Sequence, residues 1–402
     1  MQTGVDSLPL YPALGLRLRS SRVGLLAHPA SVDRGLVHTR DVLARLGATP
    51  RIVFGPEHGY GGEAQDMIGV ADAKDAHGTR IRSLYGEHFS DLSPRAEDLA
   101  EIDLLVVDLQ DIGSRYYTFV WTAVLAMRAC VRAGVAMLVL DRPNPIGGDA
   151  ASIEGKSLDL AFRSFVGLEP IAIRHALTLG EIVAWRADVE GVPREALEIV
   201  PVTGQDRAGH APSWDRAFVM PSPNMPAYET ALVYPGGCLI EGTNLSEGRG
   251  TTRPFEIVGA PWLDGARLAV DLAALALPGM HARAVTFRPT FQKHAKTNCG
   301  GVQIHVTDAK TFRPVATYLA LITLAHHQRR DMFQFRTESY EFIDHIPAFD
   351  LLTGSAEART MIVAGEAPID VARAVATPSG EDVERFAVAI EAARKRHARL
   401  AT

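Results

Sequence analysis

The chain has 402 residues, 47% of them hydrophobic, and a formal net charge of -6 from 41 Lys+Arg against 47 Asp+Glu. That length exceeds what one hydrophobic core fills, so two domains are expected, and the acidic balance argues against a general nucleic-acid binder, which needs a basic face for phosphates. Three cysteines, Cys130, Cys238 and Cys299, are too few and too scattered for a disulfide framework or a zinc ribbon.

In chain order, MQTGVDSLPLYPALGLRLRS at the start lacks the basic opening and apolar stretch of a secretory signal. No apolar run reaches membrane-spanning length, so no membrane partner is expected. The expected location is cytoplasmic, or periplasmic or secreted if an export signal has been removed. VGLLA at 23–27 reads as a strand, 37–46 as a helix, RIVF at 51–54 as a strand, LLVVDL at 104–109 as a buried strand, 118–133 as a helix and AMLVL at 136–140 as a third buried strand. Runs apolar on both faces and spaced by helices predict an α/β fold with a parallel sheet covered on both sides. PSPNMP at 221–226 reads as a linker, dividing the chain into 1–226 and 227–402. The second part reads as α+β, with a helix over 266–276, strands over 284–287 and 302–306, and helices over 315–327 and 381–400.

In parallel sheets ligands bind beyond the carboxyl ends of the strands. Three loops there carry Arg, Tyr, His and acids rather than simple turn residues: GPEHG after 54, QDIGSRYY after 109 and DRPNP after 140. A fourth dense polar stretch, EGTNLSEGRGTTR, runs over 241–253. Four chemistries compete for these loops. GYGGEA at 59–64 matches G-x-G-x-x-A, but four residues separate it from the strand and Glu57 would repel a pyrophosphate. A metal could use Glu57, His58, Asp108 and Asp111, though the 14 His fall in no recognised ligand spacing. No G-x-S-x-G nucleophile elbow occurs, and Cys238 has no nearby His partner. Carboxylate chemistry remains, since glycoside hydrolysis needs two acids flanking the bond. Glu57, Glu63, Asp66, Asp108, Asp111, Asp141, Glu154, Glu241 and Glu247 are the candidates. Glu57 stands out, because a preceding Pro and a nearby Gly can hold its side chain out into a cleft.

FGPEHGYGGEAQD, DLQDIGSRYYTF, LDRPNPIGG, FVGLEPIAIRHALTLGEI, PSPNMP and YPGGCLIEGTNLSEGRGTTRPFEIVGAPWL, in this order, resemble the NamZ-type exo-β-N-acetylmuramidases, a family long catalogued as a domain of unknown function. The resemblance implies a Rossmann-like N-terminal domain, a smaller C-terminal α/β domain and a site in the cleft between them. It implies release of a terminal, non-reducing β-1,4-linked N-acetylmuramic acid from peptidoglycan fragments, with a small sugar as the substrate and no cofactor or metal. Carried over by position, it implies catalytic roles for Glu57 with Glu154 or Glu241. It implies substrate contacts from His58, from Asp111, Arg115 and Tyr116, from Asp141, Arg142 and Asn144, and from Glu241, Asn244, Glu247 and Arg249. Arg174 and Asn224 lie in the same motifs. Arg115, Arg142, Arg174, Arg249 and Arg253 are the expected grip on the lactyl carboxylate, and Tyr116, Tyr117 and Trp214 the apolar faces for sugar C–H groups, with Trp121 more simply core. The sequence departs from the family pattern at His28–Ser31, where an Asn- and Thr-bearing turn is expected. The competing function is a non-catalytic muropeptide or sugar-acid binding protein.

Overall fold

The computed structural model describes residues 1–65, 67–74 and 78–398; Asp66 and the end of the last predicted helix lie outside them. Seven strands form the larger sheet: β1 (Val23–Ala27), β2 (Ile52–Gly55), β3 (Ala73–Lys74), β4 (Arg80–Ser83), β5 (Leu104–Asp108), β6 (Ala136–Leu140) and β7 (Leu197–Val200). Their order is β3-β4-β2-β1-β5-β6-β7, parallel except for the short edge strand β3. Without that edge, the order runs outward in both directions from β1, as in a doubly wound Rossmann sheet, and the direction of winding reverses between β1 and β5.

The strands are apolar on both faces because both are covered. Along β5, Leu105 and Val107 join the core under the helices Phe119–Ala133 and Leu179–Val189. Leu104 and Val106 join the opposite core, built from Val5, Leu8, Leu14 and Leu18 of the N-terminal segment and Leu43 of the helix Thr39–Arg45. The alternation follows the two-residue period of a strand.

The smaller sheet is antiparallel, with β8 (Ile257–Ala260), β9 (Met280–Phe287) and β10 (Cys299–Val306) in the order β8-β10-β9. The helix Gly265–Ala274 lies against it, and the helix Pro314–Gln328 packs between the helices Tyr228–Gly237 and Pro368–Ala376. The last helix, Gly380–Arg396, crosses back to the larger lobe and packs on Leu179–Val189. There Arg396 donates to Asp188 at 3.0 Å and to the Val192 carbonyl at 2.8 Å, and the Ala398 N–H donates to the Ile199 carbonyl of β7 at 2.7 Å. Among the described residues, no helix is long and apolar enough to cross a membrane.

Arg115 ties the lobes together at 0% exposure. Its guanidinium donates to the carbonyls of Lys156 (2.9 Å) and Ile171 (3.0 Å) and, from the smaller lobe, Leu352 (2.7 Å). Burial lowers its pKa to about 10, which leaves it charged at neutral pH. Arg115→Ala would strand three buried acceptors. By chemical denaturation it should lose at least ~3 kcal/mol, with Arg115→Lys recovering only part, because the shorter lysine carries a compact ammonium in place of the planar fork that spans carbonyls on separate segments. A loss under ~1 kcal/mol would contradict this role.

Candidate active site

β2 delivers its chain to the cleft at Gly55, where a Cβ would run into the Tyr60 backbone. Pro56, Glu57 and His58 follow. His58 takes φ +70° and Gly59 φ +81°; the Gly59 N–H donates to the Pro56 carbonyl at 2.9 Å, and His58 Nδ1 pairs with the Ala64 carbonyl at 2.8 Å. These are back-to-back turns. Among the described residues no helix begins after the glycines, so the helix N-terminus that would meet a pyrophosphate is missing there.

The turns leave Glu57 at the cleft wall, 7% exposed. The Thr118 hydroxyl, at the start of the helix Phe119–Ala133, donates to Glu57 Oε2 at 2.6 Å. The other oxygen makes no hydrogen bond among the described residues. Across the cleft, the 3₁₀ turn Cys238–Gly242 presents Glu241. Arg249 Nη2 donates to its Oε1 at 2.8 Å and the Tyr340 hydroxyl to its Oε2 at 2.7 Å. Burial and the adjacent Glu241 raise the Tyr340 pKa well above the ordinary phenol value, so the hydroxyl stays a donor. One carboxylate thus has a neutral partner and an open oxygen, while the other has a cation and a phenol.

The cleft between the lobes is narrow, with a cavity volume of about 40 Å³. Five rings pack along it: Tyr117 lies 4.8 Å from Phe119 in a tilted pair and 5.8 Å from Tyr234 edge to face, and Tyr234 lies edge to face 6.0 Å from Tyr116 and 4.8 Å from Phe255. Ser222, Asn224 and Met225 of the Pro-rich segment form another side, with Asn224 donating to Gln65 at 2.7 Å. His28 holds that segment. Its Nε2 accepts from the Gln110 N–H at 2.9 Å, which leaves Nδ1 to donate to the Pro221 carbonyl at 3.1 Å. Burial pushes its pKa down to about 3, so the ring is neutral, in agreement with one accepting and one donating nitrogen. The departure from the family pattern at His28–Ser31 is therefore a brace under the cleft.

Of the residues expected at the site, Glu57, His58, Tyr116, Tyr117, Asn224, Glu241 and Arg249 come together at this cleft. The others do not line it, and each has a competing partner. Glu154 accepts from the Ala316 N–H at 2.8 Å, capping the helix Pro314–Gln328, so it is no partner for Glu57. Asp111 turns back onto the Gly113 N–H at 2.7 Å. Arg115 is the tie between the lobes. Asp141 accepts from Thr178 Oγ1 (2.7 Å) and the Gly180 N–H (2.9 Å) at another helix start. Arg142 forms a buried ion pair with Asp108 and donates to the Val32 carbonyl at 2.9 Å. Asn144 bridges the Leu177 carbonyl and the Ile146 N–H, and Arg174 donates to the Ile146 carbonyl. Asn244 bridges the Met332 carbonyl and the Gln334 N–H. Glu247 pairs with Lys293 at 3.0 Å, and Lys293 and Arg249 hold its pKa down against the opposing effect of burial. The expected arginine cluster dissolves: of its five members only Arg249 lines the cleft, and it is engaged by Glu241. Trp121 is core and Trp214 lies at a separate small pocket beside Arg142.

Sequence reasoning missed Thr118, Ser222, Tyr234, Tyr340 and Glu341, all at the cleft. Thr118 and Tyr234 sat inside motifs already singled out. Tyr340 and Glu341 come from TESYEFIDH, where no glycine, proline or periodicity marks a site.

The comparisons with known proteins agree with this architecture. The family description "Exo-beta-N-acetylmuramidase NamZ, N-terminal" matches residues 23–229 and its C-terminal counterpart matches residues 232–391. The chain is similar to the peptidoglycan beta-N-acetylmuramidase NamZ of Bacillus subtilis (strain 168), 41% identical over 372 residues, covering 91% of this chain and 85% of that protein. Crystal structures of two DUF1343 family proteins from Bacteroides fragilis superpose with TM-scores of 0.81 and 0.71 at 28% and 26% identity, each covering 98% of both chains.

Two of the acids outside the cleft generate a pH prediction. Burial raises Glu154 from 4.5 to about 7, and burial with neighbouring Glu181 raises Asp141 from 3.8 to about 7. The folded protein holds these protons while the unfolded chain has released them, so this contribution to stability declines as pH rises from about 4 to about 7. Glu154→Gln, whose amide oxygen still accepts from Ala316, should flatten part of that decline in denaturation measurements and leave turnover within ~2-fold. An unchanged slope would contradict the burial of this carboxyl.

Proposed function

The chain belongs to the NamZ exo-β-N-acetylmuramidase family, and from that membership we infer that it is a glycoside hydrolase releasing terminal, non-reducing β-1,4-linked N-acetylmuramic acid from peptidoglycan fragments, a reaction of cell-wall turnover. The observation that carries the mechanistic reading is the pair of unlike carboxylates at one cleft. Such a pair is what glycosidic cleavage needs.

We assign Glu57 to proton transfer at the glycosidic oxygen. One of its oxygens is oriented by Thr118 and the other is open to the cleft, and no cation pairs with it among the described residues. We assign Glu241 to the opposite role, an ionised carboxylate that stabilises the oxocarbenium-like centre or activates what attacks it. Arg249 supplies its counter-charge and Tyr340 its second hydrogen bond, both of which favour the charged form. The rings of Tyr117, Tyr234 and Phe255 offer faces to the sugar C–H groups. Ser222, Asn224 and His58 offer polar atoms for its substituents. The cleft is capped by both lobes, which suits a chain end rather than a mid-chain segment.

The test is release of 4-nitrophenol from 4-nitrophenyl β-N-acetylmuramide. Wild type should turn over, and both Glu57→Gln and Glu241→Gln should lose at least ~100-fold in kcat. Saturable binding without turnover by wild type would instead favour a sugar-acid binding protein.

A further inference from the structure

Residues 340–343 close a two-residue hairpin. The Tyr340 N–H donates to the Ile343 carbonyl at 2.9 Å, and the Ile343 N–H returns the bond at 3.0 Å. The two residues between them, Glu341 and Phe342, have φ of +46° and +69°. Two successive positive-φ positions are the geometry for which Asn-Gly is the usual solution. Large side chains with a Cβ take it only where the surroundings over-determine the backbone.

The surroundings here belong to the other lobe. The Tyr85 hydroxyl, just past β4, reaches both oxygens of Glu341 at 3.1 and 3.3 Å. The Phe342 ring centroid lies 5.8 Å from that of Tyr85, 6.4 Å from Phe165 and 6.3 Å from Phe89. Tyr85 and Glu341 are both buried. The first residue of the same hairpin is Tyr340, whose hydroxyl sits on Glu241 Oε2 at 2.7 Å and whose ring carries the Arg336 guanidinium at 5.1 Å.

We propose that Tyr85 is a positioning residue for the hydrolysis: through Glu341 it holds the strained 340–343 turn, and the turn holds the Tyr340 hydroxyl on Glu241. The proposal rests on the catalytic assignment of Glu241 made above. It also gives Glu341 a role distinct from Glu57 and Glu241. Its carboxylate reaches the cleft wall, yet it works as the anchor of the turn and transfers no proton.

The experiment is a double-mutant cycle on the chromogenic muramide, with kcat and KM measured separately for Tyr85→Phe, Tyr340→Phe and their combination. Each single change should lower kcat by ~10-fold with KM within ~2-fold, and the double variant should be no worse than Tyr340→Phe alone, because the two act through one contact. Glu341→Gln keeps an oxygen that accepts from Tyr85 and should retain at least about a third of kcat. Additive losses of ~100-fold in the double variant, an unaffected Tyr85→Phe, or a loss beyond ~100-fold in Glu341→Gln would each overturn the proposal. If Tyr85→Phe does not fold, Glu341→Leu takes its place in the cycle with the same expectations. A wild type that releases no product refutes the assigned function instead. The positioning role is then read from the crystal structure of the Tyr85→Phe protein, where a Tyr340 hydroxyl still hydrogen-bonded to Glu241 would overturn it and a displaced one would support it.

Discussion

Arg115 places a charged guanidinium where no solvent reaches it and shares it among carbonyls from both lobes. A buried charge shared among three carbonyls cannot shift without stranding several polar groups at once, so the loop that carries it is fixed. The Trp121 indole N–H donates to the Arg115 carbonyl at 2.7 Å, and the hydroxyl of the next residue, Tyr116, donates to the Pro235 carbonyl in the smaller lobe. Two residues further on, Thr118 orients Glu57. One short loop after β5 therefore clamps the lobes together and orients Glu57. The spacing across the cleft follows from that clamp.

The sheet explains where the cleft lies. β1 is the strand from which the winding departs in both directions, and the loops after β2 and β5 diverge on either side of it, opening a crevice at their carboxyl ends. In a dinucleotide enzyme a helix N-terminus would fill that crevice. Here the glycines after β2 make consecutive turns and present an acid. The smaller lobe then covers the opening with Glu241, Arg249 and the 340–343 hairpin. The crevice that takes a pyrophosphate in other proteins is here bounded by two carboxylates, Glu57 and Glu241.

Much of this was legible in the sequence, and the exceptions have physical causes. Strands β1, β2, β5 and β6 read clearly because burial on both faces demands continuous apolar runs. β4 did not, because Arg80 and Arg82 in its RIRS sequence pair with Asp98, Glu101 and Asp72 at the sheet margin. The helix Tyr228–Gly237 contains Pro235 and ends in two glycines, which argue locally for a turn; its close packing on Pro314 and Tyr318, which Gly236 permits, prevails. For the site, long motifs located the right loops but could not tell a side chain facing the cleft from one facing inward. Arg115, Arg142 and Arg174 carry the charge that an anionic sugar calls for, and each is committed to carbonyls or an acid of the protein. Tyr340 and Glu341 were invisible because their placement depends on a turn held from the other lobe, a tertiary effect with no local signature.

The central claim is that the sugar binds between Glu57 and Glu241. The direct measurement is a crystal structure of the Glu57→Gln protein with N-acetylmuramyl-β-1,4-N-acetylglucosamine. The muramyl ring is expected against Tyr117, Tyr234 and Phe255, with the glycosidic oxygen within about 3.2 Å of the residue 57 amide and Glu241 facing the anomeric carbon. A disaccharide seated elsewhere, for example in the open groove by Asn244 and Arg336, with the cleft unfilled, would contradict it.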